Sequence, residues 1–224
     1  MKKLIVCLAI FAVVLSAVAQ EKPDVSRFYG GVRVGFTASQ ISGDDLSGFH
    51  QLGASAGLFV NHAVNASGSL KLQLELDFTM KGSHSYTPPK QQYETEFYSL
   101  RLGYVEVPLL LEWAVGRWTL WGKPFQFELE VGPAFGVVVL QKEWEATGLI
   151  VGRPPFRRFE FSGIAGLSIK IADHHSVNLR YSNSIIPVRI PTWVYGRVIK
   201  KQFNSLIITS YCYLRTAAAT AKVR

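Results

Sequence analysis

The chain has 224 residues, enough for a single domain of about two hundred residues. Charged residues make up 18% of it, below the roughly 25% that is usual in soluble proteins, and aromatic residues make up 12%. The formal net charge is +8, but the charges are dispersed along the chain, which argues against nucleic acid as a partner.

The N-terminus is typical of a secretory signal peptide. Lys2 and Lys3 form a positive region, residues 4–15 form an apolar core, and Ala17, Val18 and Ala19 match a small-x-small cleavage site. An uncleaved helical anchor is the alternative, but the apolar core is short for a membrane span. We therefore expect the protein to leave the cytoplasm.

This signal divides the chain into four parts. We expect a signal peptide over 1–19, a periplasmic lead-in over 20–27, a folded domain over 28–214 and a tail over 215–224. Cleavage would remove Cys7 and leave Cys212 alone, which excludes an internal disulfide from the mature chain.

The clearest element is the segment 70–81, LKLQLELDFTMK, which alternates apolar and polar residues without a break. This period of two predicts a β-strand. At about 3.3 Å per residue and a tilt of about 40°, a strand of this length rises roughly 30 Å, close to the apolar band of an outer-membrane barrel. The interior of a small barrel holds few bulky side chains. We therefore expect the apolar face to contact lipid and the polar face to line a narrow lumen.

Seven other segments follow the same scheme, and they cover 28–38, 49–60, 97–113, 125–140, 159–171, 177–182 and 202–214. In the fourth strand the apolar face changes from Leu100 and Leu102 to Val105, which predicts a β-bulge at Gly103. The sequence thus predicts an all-β fold, an eight-stranded antiparallel up-and-down transmembrane β-barrel of the outer-membrane type. The long, proline-containing connections are expected outside the cell and the short turns in the periplasm.

Chemistry is concentrated in the predicted lumen. The charged side chains expected there are Arg33, Lys71, Glu75, Asp77, Glu106, Glu128, Glu130, Glu160, Lys170 and Arg180. Unpaired charge is costly in such a place, so these groups should pair. Two interpretations stay open, a gated polar channel and an ion-pair core that fills a closed barrel.

A second set of charges lies in the predicted external connections. Its members are Arg153, Arg157, Arg158, Arg189, Arg197, Lys200 and Lys201. Arginine matches phosphate geometry well, so this set could contact lipopolysaccharide or an anionic partner. Solvated loop charge is the alternative.

Catalysis and metal binding have only fragments to support them. Ser83, His84 and Ser85 lie at one strand end, and His174 and His175 lie in a turn, but no nucleophile motif or metal-ligand spacing is present. We expect no enzymatic activity, no cofactor and no metal.

Several motifs carry a resemblance to a known family. They are GVRVGFTASQISGDD at 31–45, LQLELDFTMKGS at 72–83, YVEVPLLLEW at 104–113, VGPAFG at 131–136 and LRYSNSI at 179–185. In these segments the chain resembles the PorT-like bacterial outer-membrane β-barrel family, which includes porin-like and secretion-linked proteins.

The resemblance implies the outer membrane of a Gram-negative bacterium, with outer-membrane lipid and lipopolysaccharide as neighbours. It also implies insertion by the barrel-assembly machinery, for which Tyr213 is the candidate terminal aromatic residue, and a protein partner at the external loops. The expected role is structural or interaction-based, as an accessory of secretion or of the envelope. A small channel and a soluble lipocalin-like carrier are the alternatives.

Overall fold

The computed structural model describes residues 28–43, 48–85, 98–120, 123–145, 148–149, 156–171, 174–189, 192–194, 197–199 and 201–216. The predicted signal peptide and lead-in, and the tail from residue 217, lie outside these ranges. The strands are β1 (Phe28–Ser42), β2 (Gln51–Ala63), β3 (Leu70–His84), β4 (Tyr98–Leu120), β5 (Lys123–Glu145), β6 (Gly148–Leu149), β7 (Phe159–Ile171), β8 (His175–Ser184), β9 (Thr192–Val194), β10 (Arg197–Ile199) and β11 (Phe203–Thr216). Within the described ranges, no helix has the length and apolar character to cross a membrane.

Eight long antiparallel strands close into a barrel. Their order is β4-β3-β2-β1-β11-β8-β7-β5, and β5 pairs with β4 to complete the ring. The short strand β6 pairs antiparallel with the end of β5, while β9 and β10 form a separate hairpin. The predicted eight-stranded architecture is confirmed.

The barrel is apolar outside and polar inside. In β3, Leu72, Leu74 and Leu76 are 43%, 46% and 53% exposed, whereas Glu75 and Asp77 are 2% and 3% exposed. Because side chains alternate between the two faces of a strand, the apolar residues of the 70–81 segment all face outward and its charged residues all face inward. A soluble carrier would need the opposite arrangement, so the lipocalin-like alternative is wrong.

The two ends of the barrel differ. At the end we call the turn end, β2 is joined to β3 by a tight turn in which the Asn65 side chain accepts from the Leu70 amide at 3.0 Å. Exposed aromatic side chains gather near this end, as in the girdles of membrane barrels, and they are Phe28, Trp113, Trp118, Tyr211 and Tyr213. The opposite end, which carries the longer connections, is called the loop end.

A β-bulge interrupts the pairing of β4 with β5 near the loop end. Gly103 pairs with Leu140 but Tyr104 pairs with Val138, so Val139 is an additional residue in β5. The register shift lies where Gly103 predicted it, but the bulged strand is β5. Consequently β4 keeps one phase from Leu100 to Ala114, and Leu100 and Leu102 face the lumen at 0% exposure, contrary to the prediction.

Candidate functional site: the lumen and its loop end

An ion network crosses the lumen at mid-height. Arg33 donates from Nη1 to Glu75 Oε2 at 2.5 Å and to Asp77 Oδ2 at 2.8 Å. Arg180 donates from Nη1 and Nη2 to the two oxygens of Glu75 at 2.8 and 2.9 Å, and from Nε to Glu130 Oε2 at 2.5 Å. All five side chains are buried. Charged hydrogen bonds of this kind compensate the cost of removing the charges from water.

Glycines on neighbouring strands make room for the network. A Cβ atom at Gly57 would lie 1.9 Å from Asp77 Oδ1, and one at Gly166 would lie 2.7 Å from Arg180 Cγ. Small residues at these two inward positions therefore allow large charged side chains to occupy a narrow interior.

A second cluster lies nearer the loop end. Lys81 donates from Nζ to Glu106 at 2.7 Å and to Glu160 at 3.1 Å. Its ammonium also lies 4.7 Å from the centre of the Tyr104 ring, a cation–π distance. Glu160 accepts further hydrogen bonds from Ser184 and Asn204. Lys81 is absent from the predicted set of lumen charges, although its inward phase in the 70–81 segment was a signal that could have placed it there.

The turn half of the lumen is polar and less filled. Lys71 donates to Glu128, and Glu112 lies opposite Glu130 in the pairing of β4 with β5. A small cavity here is lined by Glu112 and Glu128 among other polar residues. Lys170 is half-buried, with its ammonium 5.7 Å from the Tyr29 ring centre. The structure thus places all ten predicted lumen charges in the barrel interior, but not in one network.

An apolar cap closes the loop half above the ion clusters. It consists of Ile41, Leu100, Leu102, Tyr104, Phe156 and Val188, which are all 5% exposed or less. Phe156 and Val188 come from connections that fold inward, and the Arg157 amide donates to the Val188 carbonyl at 2.8 Å. Sequence reasoning missed this cap. The phase of Leu100 and Leu102 was the signal, but it was interpreted as a lipid-facing pattern.

Arg189 requires a correction, because it was predicted to be an exposed loop contact. Its side chain is 2% exposed, donates to Glu143 Oε2 at 2.9 Å and lies over the Phe156 ring at 4.1 Å. The connection that carries Arg189 folds over the barrel mouth, where Glu143 supplies a buried counter-charge. Arg189 therefore belongs to the closed mouth of the barrel.

The other predicted loop contacts divide into two groups. Arg157, Arg158 and Lys201 are exposed. The side chains of Arg153, Arg197 and Lys200 lie outside the described residues.

The candidate catalytic and metal-binding fragments are dispersed. Ser83 is buried, and the Ser85 hydroxyl donates to the Tyr98 carbonyl at 3.2 Å. His175 stacks on Tyr211 with ring centres 5.8 Å apart. Among the residues that the structure describes, no three His, Cys, Asp or Glu side chains are grouped so as to hold a metal ion.

A comparison with known protein families identifies the kind of protein. The family model described as outer membrane protein beta-barrel domain matches residues 18–189. A search of the curated proteins finds no match.

Solved structures with a similar chain path include three bacterial barrels. One is Ail, the attachment invasion locus protein of Yersinia pestis, in complex with the heparin analogue sucrose octasulfate, at 10% identity and a TM-score of 0.46, over 84% of this chain and 99% of that one. Another is the Neisserial surface protein A, NspA, at 12% identity and 0.40, over 83% and 96%. The third is the outer membrane protein OprG from Pseudomonas aeruginosa, at 11% identity and 0.41, over 86% and 97%. Since the family model matches most of its length, the chain belongs to the outer membrane protein beta-barrel domain family and is a small barrel of the outer membrane.

Proposed function

We propose that this barrel is a closed, non-conducting scaffold of the outer membrane that acts by presenting its loop end to other envelope components. One observation carries the proposal. The chain of buried charges Arg33, Glu75, Arg180 and Glu130 runs through β1, β3, β8 and β5. In the ring of eight strands, β3 lies opposite β8 and β1 lies opposite β5. The network therefore joins side chains from two pairs of opposite strands and crosses the full width of the lumen.

The apolar cap supports the same conclusion. An ion that entered from the loop end would have to pass between buried Leu100, Leu102 and Ile41 before it reached the charged network. Burying an ion in such surroundings costs several kcal/mol at least. Two barriers of different chemistry therefore lie in series, which favours a filled barrel over a gated channel.

Planar bilayer recording tests this proposal. The full chain is inserted into bilayers, its folded state is verified by a gel shift between unboiled and boiled samples, and a porin of known conductance serves as the positive control. We expect a flat current from the folded barrel. Discrete current steps that depend on its presence would overturn the proposal and favour the channel alternative.

The proposed interaction role rests on the loop end. Exposed Arg157, Arg158 and Lys201 are held near one another by backbone pairing, because the Arg157 amide donates to Val188 and the Val188 amide donates to Gln202, each at 2.8 Å. Arginine and lysine bind phosphate and carboxylate groups, so lipopolysaccharide or an acidic protein surface fits this rim.

Membership of the PorT-like group, a role as an accessory of secretion or of the envelope, and insertion by the barrel-assembly machinery belong to the same proposal and rest on the sequence resemblance. No catalytic step and no cofactor is proposed.

A further inference from the structure

Two positive charges face each other on the outer wall of the barrel. Arg101 of β4 and Lys142 of β5 are paired directly in the register of the two strands, and both are exposed. Side chains so paired have Cβ atoms about 4.5–5.5 Å apart, and like charges there repel. Neither takes part in an ion pair within the described part of the chain. The arrangement is unfavourable unless an anion lies between them.

The surroundings hold Arg101 ready for such an anion. Its guanidinium lies over the Trp144 ring, 5.8 Å from the ring centre, in a cation–π contact that favours one orientation of the side chain. On its other side Arg101 is paired with Gly82 of β3, which has no side chain. Among the described residues, Trp144 therefore supports the guanidinium on one side, and the strand partner on the other side has no side chain to cover it.

The height of the pair on the barrel indicates which anion it meets. Towards the turn end, the next outward residues on β4 are the exposed Val105, Val107 and Leu109, and Gly103 pairs with exposed Leu140. Arg101 and Lys142 thus lie at the loop-side border of the lipid-facing band. Lipid headgroups occupy this level, and tryptophan is enriched there in membrane proteins.

We propose that Arg101 and Lys142 together bind one phosphate of the phosphorylated headgroup of lipopolysaccharide. The planar guanidinium offers two parallel N–H donors to phosphate oxygens, and the ammonium adds a mobile positive charge. One phosphate between them replaces a repulsion with two attractions. This site is on the barrel wall, separate from the rim of Arg157, Arg158 and Lys201, and it does not depend on whether the lumen conducts.

The test measures lipid A binding to the full folded chain in phosphatidylcholine nanodiscs by native mass spectrometry. The variants are Arg101→Gln, Lys142→Gln and the double variant, and each is measured with lipid A and with dephosphorylated lipid A. Arg117→Gln is the matched control, because Arg117 is an exposed cation on the same strand near the turn end, where its partner is Gln126. Loss of a charge-assisted hydrogen bond should weaken binding about tenfold for each single variant.

The fold-loss of lipid A affinity in the double variant should be smaller than the product of the two single losses, since both side chains hold one phosphate. Dephosphorylated lipid A should bind weakly to every variant, and Arg117→Gln should match the unmodified protein. Equal affinity for both lipids would overturn the proposal, as would identical losses in Arg117→Gln and Arg101→Gln.

Lys142→Glu separates binding from folding. This change converts the repulsive pair into an attractive cross-strand pair with Arg101, so it should raise the resistance of the barrel to denaturant while it abolishes lipid A binding. A variant that is more stable and still binds lipid A normally would contradict the site.

Discussion

Glu75 and Arg180 come from strands on opposite sides of the barrel and meet through two parallel hydrogen bonds of 2.8 and 2.9 Å. The same carboxylate accepts from Arg33 at 2.5 Å. Glu75 therefore joins two buried cations that would otherwise repel each other. It ties together β1, β3 and β8, which are not neighbours in the ring.

Removing the charge of Glu75 should be severely destabilising. Glu75→Gln places an amide NH₂ donor against guanidinium donors and leaves two arginines short of counter-charge, which should reduce the free energy of unfolding by about 3–5 kcal/mol. Chemical denaturation of the barrel in lipid vesicles measures the loss. Glu128→Gln is the control, because Glu128 pairs with Lys71 near the turn end, and it should be milder. Equal losses of unfolding free energy in the two variants would show that Glu75 is no more important for stability than a carboxylate near the turn end.

The outward face is tested by Leu74→Arg. Leu74 is 46% exposed in the middle of the lipid-facing stretch of β3, so an arginine there should reduce barrel stability by about 2–4 kcal/mol. Ile171→Arg, at an outward position at the turn end of β7, should change stability by about 0–1 kcal/mol. Gel shifts between unboiled and boiled samples, with denaturant titration, distinguish the two. Normal stability of Leu74→Arg would mean that this face does not meet lipid.

The apolar cap and the ion network should act as independent barriers. Leu102→Ala leaves a cavity in the cap and should cost about 2–5 kcal/mol of stability, yet the bilayer current should stay flat because the network below is intact. Leu109→Ala, on the lipid-facing side of the same strand, is the matched control for stability and should cost less. Current steps in Leu102→Ala alone would show that the cap is the principal barrier.

Substitutions of Arg189 and of Arg157 should affect different properties, the first the stability of the barrel and the second its binding of lipopolysaccharide. Arg189→Gln leaves buried Glu143 without its arginine and should cost about 3–5 kcal/mol of stability. Arg157→Gln should leave stability within about 0.5 kcal/mol, because Arg157 is exposed, and should reduce the lipopolysaccharide bound per barrel. Unfolding titrations and a phosphate assay of the purified protein give the two readouts. A stable Arg189→Gln variant would contradict the buried assignment.

The faces of the barrel could be predicted because the side-chain period of a strand is exactly two. Alternation over 70–81 assigns Leu74 to lipid and Glu75 to the lumen without knowledge of any neighbour. The identity of the ion-pair partners could not be obtained in this way. Whether Glu75 meets Arg180 or Lys71 depends on the stagger of strands far apart in the chain, and the stagger is a property of the closed barrel.

The wrong predictions concern the connections between strands and the pairing of β4 with β5. Arg189 follows Pro187 in a connection, and the alternation of strands gives no information on how such a segment folds over the barrel mouth. The change of phase after Leu102 indicated a bulge, but a bulge belongs to a pair of strands. The sequence of β4 alone could not show that the extra residue lies in β5.

The additional residue Val139 determines which side chains at the end of β5 face the lumen and which face outward. Below it the even-numbered residues Glu128 and Glu130 face inward, and above it the odd-numbered Glu143 does. If Val139 paired regularly with Gly103 instead of forming a bulge, Lys142 would face the lumen and Glu143 would face the outer wall. The outer wall would then be acidic at this height and the barrel mouth would gain a cation beside Arg189, so one unpaired residue determines the sign of the charge on both surfaces.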